Sequence, residues 1–442
     1  MKVIYISLIS ILLVNCSFDK KSGIWKNENY KNNEEKNIFE EFKKISLRNK
    51  DYNKKIILKN NFNFILSSVK SNFQWKDIYY AGNNNTDNFE YKNLNQILFK
   101  SKKLTKYNVN NFLLYENDNL ILSDHRGNII IFSTINNSII AKFNFYKKKY
   151  KKIKMKLNMV VENNIIYISD NLGYFYAYNY LSDKILWAKN FKIPFRSNLK
   201  YTKYNIYASN QNNDLLILKK QNGALIKTIP TEDNIVKNNF INNLSISDDD
   251  TLFYLNSYGS LYSINSAKFK INWFLNLNQA SELNPSNLFF GNQIVNNNEY
   301  VIISSNENTY IIDKYTGQIR NKFNFASNVK PILNKNYIFF VSNNNYLISI
   351  NLNTGKILYS YNIDQKISDF LKIDKQESII KNFFLLNSEI FIFLENSYLL
   401  QFNIKGELKK TKKLPIKIQN NPIIIDGSVL YLSKQNKLIV SN

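Results

Sequence analysis

The sequence has few of the residues from which most catalytic and metal sites are built. Its 442 residues include one cysteine, one histidine, 11 glycines and six prolines. One cysteine excludes an internal disulfide framework. Together with one histidine, it argues against a Cys/His zinc site, a haem attachment motif and a Cys–His nucleophile pair. The scarcity of glycine argues against most glycine-rich cofactor fingerprints. We therefore expect no catalytic, cofactor-binding or metal-binding residues.

Arginine is scarce, although the chain is strongly basic. Lysine and arginine total 59 against 34 acidic residues, a net charge of +25, yet arginine contributes only four. Arginine is favoured for reading phosphates and bases, so no nucleic acid partner is expected. The 76 asparagines and the abundant lysine, isoleucine, phenylalanine and tyrosine are residues with A/T-rich codons. We interpret most of the charge as compositional bias, and an anionic surface as partner stays open.

The N-terminus indicates export and a lipid anchor. Residues 3–14 form an apolar run that follows Lys2 and ends near the only cysteine, Cys16. The run is too short for a membrane-spanning helix, which takes about 20 residues, and it suits a secretory signal. Leu13-Val14-Asn15-Cys16 resembles a bacterial lipobox, which implies a signal peptide at 1–15 and a diacylated Cys16. The alternative is a structural cysteine in an N-terminal strand.

The lipobox resemblance also implies a location. Ser17 stands where an aspartate would imply retention at the inner membrane, so the expected location is the outer membrane, lipid-anchored in its inner leaflet and facing the periplasm. Residues 16–70 are rich in lysine, asparagine and glutamate, and we interpret them as a tether with a possible short amphipathic helix near 34–45. The alternative for that helix is partner binding.

From about residue 97 the chain repeats a four-stranded unit. In the two clearest copies a glycine precedes a tryptophan by 14 residues, as in Gly173 and Trp187. The residue that ends the third strand of each unit recurs at Ser133, Asn179, Lys219, Asn265, Asp313, Asn351, Asn403 and Asn442. The mean interval of about 44 residues is the period of a propeller blade. Apolar residues make up 44% of the chain, enough for a large core.

The two ends of the repeat region complement each other. The last marker is the final residue, so the eighth unit has only three strands, near 422–425, 429–433 and 437–440. An extra strand at 97–101 precedes the first unit, and we predict that it pairs with the strand containing 438–440. The sequence thus predicts an all-β, eight-bladed β-propeller with circular strand closure over 71–442. Seven blades would result if the weak copy at Lys219 or at Asn403 were misread.

The repeat resembles the PQQ-like propeller repeat, most closely at 176–187 and 351–358. With the lipobox and a single eight-bladed ring, the chain resembles the BamB family. The segment from Trp75 to Asn88 resembles the asparagine-rich lead-in of alphaproteobacterial members, and Ile193-Pro194-Phe195-Arg196-Ser197 resembles their Pro-x-Arg stretch. The resemblance covers about 70–442.

The resemblance implies a non-enzymatic scaffold lipoprotein of the outer-membrane β-barrel assembly (BAM) complex. Members of the family assist insertion of outer-membrane proteins by binding the POTRA domains of BamA. The implied partners are BamA, the other BAM subunits and nascent outer-membrane proteins. One alternative is a propeller that binds envelope glycan or an anionic surface. The other is a quinoprotein-like periplasmic enzyme, although the vicinal cysteines of that branch are absent.

Few individual residues stand out as site candidates. Phe195 and Arg196 are the expected partner-binding residues, because an exposed aromatic beside an arginine is a plausible hot spot. The alternative for Arg196 is a solvated loop charge. His125 is expected in an exposed blade turn, and Asp248-Asp249-Asp250 reads as a turn rather than a calcium site. Trp187 and Trp273 are expected to pack in the core between strands.

Overall fold

The computed structural model describes residues 16–18, 25–27, 54–146, 150, 152–232, 241–278, 288–305, 307–327 and 329–442. The chain divides into two compact units, Met1–Asp51 and Tyr52–Asn442. In the first unit, strand Cys16–Phe18 pairs antiparallel with Trp25–Asn27. The predicted signal peptide at 1–15 and the predicted helix at 34–45 lie outside the described residues.

The second unit contains eight four-stranded antiparallel sheets, which confirms the predicted eight-bladed propeller. The strands of blades 1 and 2 are Leu114–Glu116, Asn119–Ser123, Asn128–Ser133, Ser138–Asn144, and Leu157–Glu162, Ile165–Asp170, Tyr174–Asn179, Lys184–Asn190. Those of blades 3 and 4 are Lys200–Tyr201, Asn205–Ser209, Leu215–Lys219, Leu225–Ile229, and Asn243–Ile246, Thr251–Leu255, Ser260–Asn265, Lys270–Asn276.

The remaining blades follow the same order. Those of blades 5 and 6 are Val295–Asn296, Tyr300–Ser304, Thr309–Asp313, Ile319–Phe323, and Ile332–Asn334, Tyr337–Val341, Tyr346–Asn351, Lys356–Asn362. Those of blade 7 are Ile380–Leu386, Glu389–Leu394, Tyr398–Phe402 and Leu408–Lys413. Blade 8 combines Ile423–Ile425, Ser428–Leu432 and Lys437–Ser441 with the early strand Ile97–Lys103. Helix α1 (Ile363–Leu371) lies between blades 6 and 7 and is capped by Asn362.

The turn after each third strand explains the repeat marker. In blades 2, 4, 5 and 6 the marker side chain accepts hydrogen bonds from the backbone N–H groups two and three residues further on. The Oδ1 atom of Asn179, for example, accepts from Leu181 and Ser182, both at 3.0 Å. Short polar side chains favour such turns because they supply an acceptor at this position. The blade period could therefore be predicted from the recurrence of asparagine and aspartate at the ends of the third strands.

Burial changes from the middle of each blade to its edge. Every residue of the second strand Asn119–Ser123 is buried, as is every residue of Tyr337–Val341. Both faces of these strands are covered because each blade lies between two neighbours, so they read as continuous apolar runs. The fourth strand Lys184–Asn190, at the outer rim, is buried only at Trp187.

The two tryptophans predicted to pack in the core join neighbouring blades, which confirms that expectation. Trp187 of blade 2 donates from Nε1 to the carbonyl oxygen of Lys220 in blade 3, at 2.8 Å. Trp273 of blade 4 donates to the carbonyl oxygen of Lys314 in blade 5, at 2.9 Å. A Cβ at Gly317, whose φ is +73°, would lie 2.7 Å from the Trp273 ring. The indole ring of each tryptophan therefore covers a turn of the next blade.

The ring closes as the sequence predicts. Ile97–Lys103 pairs antiparallel with Lys437–Ser441, with Phe99 opposite Val440. Gln96 and Asn442 also exchange two backbone hydrogen bonds of 3.1 Å. In the described part of the chain, no helix is long and apolar enough to cross a membrane.

Deleting residues 435–442 should lower the melting temperature of the whole propeller. The deletion removes the strand that pairs with both Ile97–Lys103 and Ser428–Leu432, and so leaves two open edges. Thermal unfolding followed by circular dichroism measures the effect. Lys434→Ser changes only an exposed side chain at the cut site and serves as the control. An unchanged melting temperature in the truncated protein would contradict closure by this strand.

Candidate functional site

The centre of the propeller is crossed by residues 70–92, which we call the axial loop. Its two ends meet: the N–H of Lys70 donates to the carbonyl oxygen of Asn88 at 2.8 Å, and that of Glu90 to the carbonyl oxygen of Lys70 at 2.9 Å. The first strands of neighbouring blades contact one another in four of the blade pairs, so these strands surround the axis. The axial loop lies against them.

The axial loop bonds to the first-strand region of all eight blades. Its backbone forms hydrogen bonds of 2.7–3.1 Å with eight residues in or next to the first strands of six blades. The pairs are Trp75 with Tyr115, Lys76 with Val161, Gly82 with Ile246, Asn83 with Asn296, Phe89 with Leu385 and Asn387, Asn72 with Asp426, and Lys92 with Gly427. Side chains make the contacts to the other two, blades 3 and 6.

Asparagine side chains act in the axial loop as additional peptide groups. Asn85 donates from Nδ2 to the carbonyl oxygen of Leu333 at 2.8 Å, and its Oδ1 accepts from the N–H of Leu333 at 2.9 Å. The Nδ2 of Asn84 donates to the carbonyl oxygens of Leu244 and Ile294, at 2.8 and 2.7 Å. A primary amide carries both a donor and an acceptor, so it can satisfy a strand edge that backbone cannot reach.

A buried ion pair fixes the axial loop to blade 3. The Nζ of Lys200 lies 2.6 Å from Oδ2 of Asp77, and both side chains are almost completely buried. Lys200 also donates to the carbonyl oxygen of Ala81 at 3.0 Å, and Oδ1 of Asp77 accepts from the N–H of Tyr79 at 2.9 Å. Burial raises the pKa of Asp77 and lowers the pKa of Lys200, and the attraction between the two opposes both shifts.

A second lysine near this pair has no counter-ion of its own. The ammonium of Lys330 is buried and has no hydrogen-bond partner among the described residues. Burial and, to a smaller extent, the charge of Lys200 lower the pKa of Lys330 to about 7, and Asp77 opposes the shift. Asp77, Lys200 and Lys330 together therefore place two basic groups against one acid near the axis.

Lys330 lines a cavity of about 110 Å³ beside the axial loop. The cavity lies at the face of the propeller where the first strands begin, here called the start face, because Lys330 precedes the first strand of blade 6 and Asn421 that of blade 8. Most of the wall is apolar or aromatic, including Trp75, Phe112 and Phe384. Its polar members are Thr86, Gln293, Lys330, Lys381, Asn382 and Asn421, so no described lining residue is a carboxylate.

The expectation that Phe195 is exposed is wrong. Its ring is 2% exposed and packs edge-on against Phe175 and Phe191, in the cluster between blades 2 and 3. The segment does form the connection between these blades, but the ring turns inward because the gap between two sheets can bury it. Arg196 is half-buried, and its Nη2 donates to Oε1 of Gln211 at 3.2 Å.

The remaining singled-out polar residues lie in turns, as expected. His125 lies in the turn between the second and third strands of blade 1, but it is half-buried rather than exposed. Asp248–Asp250 connect the first two strands of blade 4, and Asp249 pairs with Lys314 of blade 5 at 2.9 Å. That ion pair and the hydroxyl of Ser247 favour the charged carboxylate and lower the pKa of Asp249, against the effect of burial.

Exposed lysines are spread around the rim of the propeller. The outer strand of every blade carries at least one. Examples are Lys142, Lys184, Lys227, Lys270, Lys322, Lys356, Lys409 and Lys100, in blades 1 to 8. These rim lysines are therefore distributed around the ring and are not grouped at one blade.

A family model described as outer membrane protein assembly factor BamB matches residues 149–361, which span blades 2 to 6. No curated protein matches the chain. BamB from Moraxella catarrhalis has a similar fold, with a TM-score of 0.60 and 12% identity over 78% of this chain and 99% of that chain. The chain is thus an eight-bladed propeller. Its repeats over residues 149–361 are similar to those of BamB.

The fold is also similar to that of enzymes. Quinohemoprotein alcohol dehydrogenase from Comamonas testosteroni gives a TM-score of 0.62 at 8% identity, covering 83% of this chain and 80% of that one. A europium-containing methanol dehydrogenase gives 0.61 at 10% identity, covering 83% and 89%. These likenesses concern the fold alone.

A quinone held by a calcium ion does not fit the cavity beside the axial loop. Calcium requires several oxygen ligands, usually with carboxylates among them. The described lining supplies two lysines and no carboxylate, and Asp77 is already paired with Lys200. Among the described residues, no group of three or more His, Cys, Asp or Glu side chains could hold a metal ion.

Removing one partner of the Asp77–Lys200 pair should destabilise the protein strongly. Asp77→Asn leaves a buried ammonium without its counter-ion, and Lys200→Met leaves a buried carboxylate, so each should cost about 3–5 kcal/mol. The double variant should cost less than the sum, because it leaves neither charge. Chemical denaturation of the four proteins measures the coupling energy.

The exposed pair of Lys70 and Asp87, 3.4 Å apart, provides the matched control. Lys70→Met should cost less than about 1 kcal/mol because water screens this pair. Equal costs for Lys200→Met and Lys70→Met would contradict an anchoring role for the buried pair.

Proposed function

We propose that this chain is a non-enzymatic scaffold lipoprotein of the outer-membrane β-barrel assembly complex, docking on the POTRA domains of BamA. The observation that carries the proposal is the BamB match over blades 2 to 6 on a closed eight-bladed ring. A ring without open edges is a rigid platform, and its loops are free to recognise a partner. The cavity chemistry supports a non-enzymatic role over a quinoprotein one.

The location that suits this role is the inner leaflet of the outer membrane. Cys16 at the end of the apolar run supports a diacylated N-terminus that holds the propeller in the periplasm. One short acyl chain binds a membrane only marginally, and two or more chains hold a protein there. Other subunits of the complex and nascent outer-membrane proteins are the further partners in this proposal.

Cys16→Ala should abolish lipid attachment. The substitution removes the only thiol in the chain, so cells given labelled palmitate should yield an unlabelled and unprocessed precursor. Cys16→Ser, which keeps a polar side chain of similar size, should behave in the same way because a hydroxyl does not replace the thiol. Labelled protein from either variant would contradict the anchor.

Affinity purification from detergent-solubilised outer membrane tests the partner. The tagged lipoprotein should recover BamA, and Arg196→Glu should weaken that recovery. Reversing a charge at the contact should cost about 2 kcal/mol or more. Phe195 is unsuitable for this test because its ring belongs to the core.

Arg320→Glu is the matched control, because Arg320 is an exposed arginine in the outer strand of blade 5. It should leave recovery of BamA unchanged. Equal recovery with Arg196→Glu and Arg320→Glu would exclude the loop at 193–197 as the contact. Absence of BamA from the purified wild-type protein would contradict the proposed function itself.

A further inference from the structure

The cavity at the start face carries hydrogen-bond donors that the protein itself does not use. Trp75 Nε1, Thr86 Oγ1 and Lys330 Nζ all belong to lining residues, all are buried, and none has a partner in the described part of the chain. Buried polar groups in native proteins are nearly always hydrogen-bonded, and an unpaired one costs about 1–3 kcal/mol, more if it is charged. Three such donors on residues that line one cavity make it a candidate site for a ligand with hydrogen-bond acceptors.

The charge of the lining indicates which kind of acceptor the cavity would bind. Lys381 also lines the cavity and donates from Nζ to the carbonyl oxygen of Gln419 at 2.9 Å. Lys330 has no carboxylate partner. Asp77, the acid whose charge acts on Lys330, is already paired with Lys200. An anion with oxygen acceptors would satisfy the donors and compensate the buried ammonium.

The apolar walls favour an organic anion over an inorganic one. Trp75, Phe112 and Phe384 contribute aromatic surface, and Leu113, Val329 and Ile423 contribute aliphatic surface. Phosphate is strongly hydrated and gains nothing from such walls, whereas an organic acid places its body against them and its carboxylate against the donors. The volume of about 110 Å³ suits a small molecule rather than a folded segment.

We propose that this cavity binds a small organic carboxylate, with Lys330 as the charged anchor and with Trp75 and Thr86 as further donors. The ligand would contact the axial loop through Trp75 and Thr86, and the first-strand region of blade 6 through Lys330. Occupancy would therefore add a contact between the loop and blade 6 to the hydrogen bonds between Asn85 and Leu333. The proposal does not depend on docking to BamA.

The full-length purified protein, titrated with benzoate by isothermal calorimetry, tests the proposal. Benzoate should bind and raise the melting temperature with concentration, because a ligand of the native state stabilises it. Benzamide has the same ring without the charge and should bind at least about tenfold more weakly, the factor expected for a charge-assisted hydrogen bond. Inorganic phosphate should bind more weakly than benzoate.

Lys330→Met should lower benzoate affinity by about 10- to 100-fold while the circular dichroism spectrum is retained. The variant should fold, because it replaces an uncompensated ammonium with an apolar side chain of similar length. Lys356→Met changes an exposed lysine of the same blade and should bind benzoate like the wild type.

Equal affinity for benzoate and benzamide, or undiminished benzoate binding by Lys330→Met, would overturn the proposal. Either result would mean that the cavity binds through apolar contacts alone. Tighter binding of phosphate than of benzoate would overturn the organic class. If none of benzoate, benzamide and phosphate binds, the proposal is also overturned, because water then satisfies the donors. Tight benzoate binding that is lost only in Lys330→Met supports the proposal.

Discussion

Eight strand edges meet at the axis of this propeller, and the structure depends on how they are satisfied. Within a blade, each first strand pairs on one side only, so its other edge faces the axis with free N–H and C=O groups. Buried backbone groups without partners are costly. Residues 70–92 bond to the first-strand region of every blade, with Trp75 against blade 1 and Phe89 against blade 7. The axial loop is therefore a structural part of the ring, although it belongs to no blade.

The frequent asparagines, which we attribute to compositional bias, also have a structural role in the axial loop. Asn83 bonds to blade 5, Asn84 to blades 4 and 5, and Asn85 to blade 6, partly through side-chain amides that imitate the peptide group. Asparagine at the end of third strands does the same for turns, as at Asn179. A bias toward one residue type is thus tolerated where that residue can replace backbone as donor and acceptor.

Much of the fold could be predicted from the sequence because its signals are local. Turn-forming Asn179 or Asp313 and the apolar runs between such markers define the blade period, and the incomplete last unit defines the closure. The site could not be predicted in this way. Asn72 bonds to Ile424, 352 positions away, and nothing in the local pattern at 70–92 indicates a surface that faces eight strands. The predicted exposure of Phe195 was wrong for a related reason. The two sheets that bury its ring come from different repeats, so its exposure depends on how the blades stack.

Closure through Gln96 and Asn442 has a consequence for the order of events during synthesis. The strand Lys437–Ser441 is made long after its partner Ile97–Lys103, so the ring stays open until the later strand has left the ribosome. Contacts between such distant positions also make folding slow, because the entropy of closing a long loop is lost before the pairing stabilises the protein. We therefore expect closure of the ring to be a late step in folding.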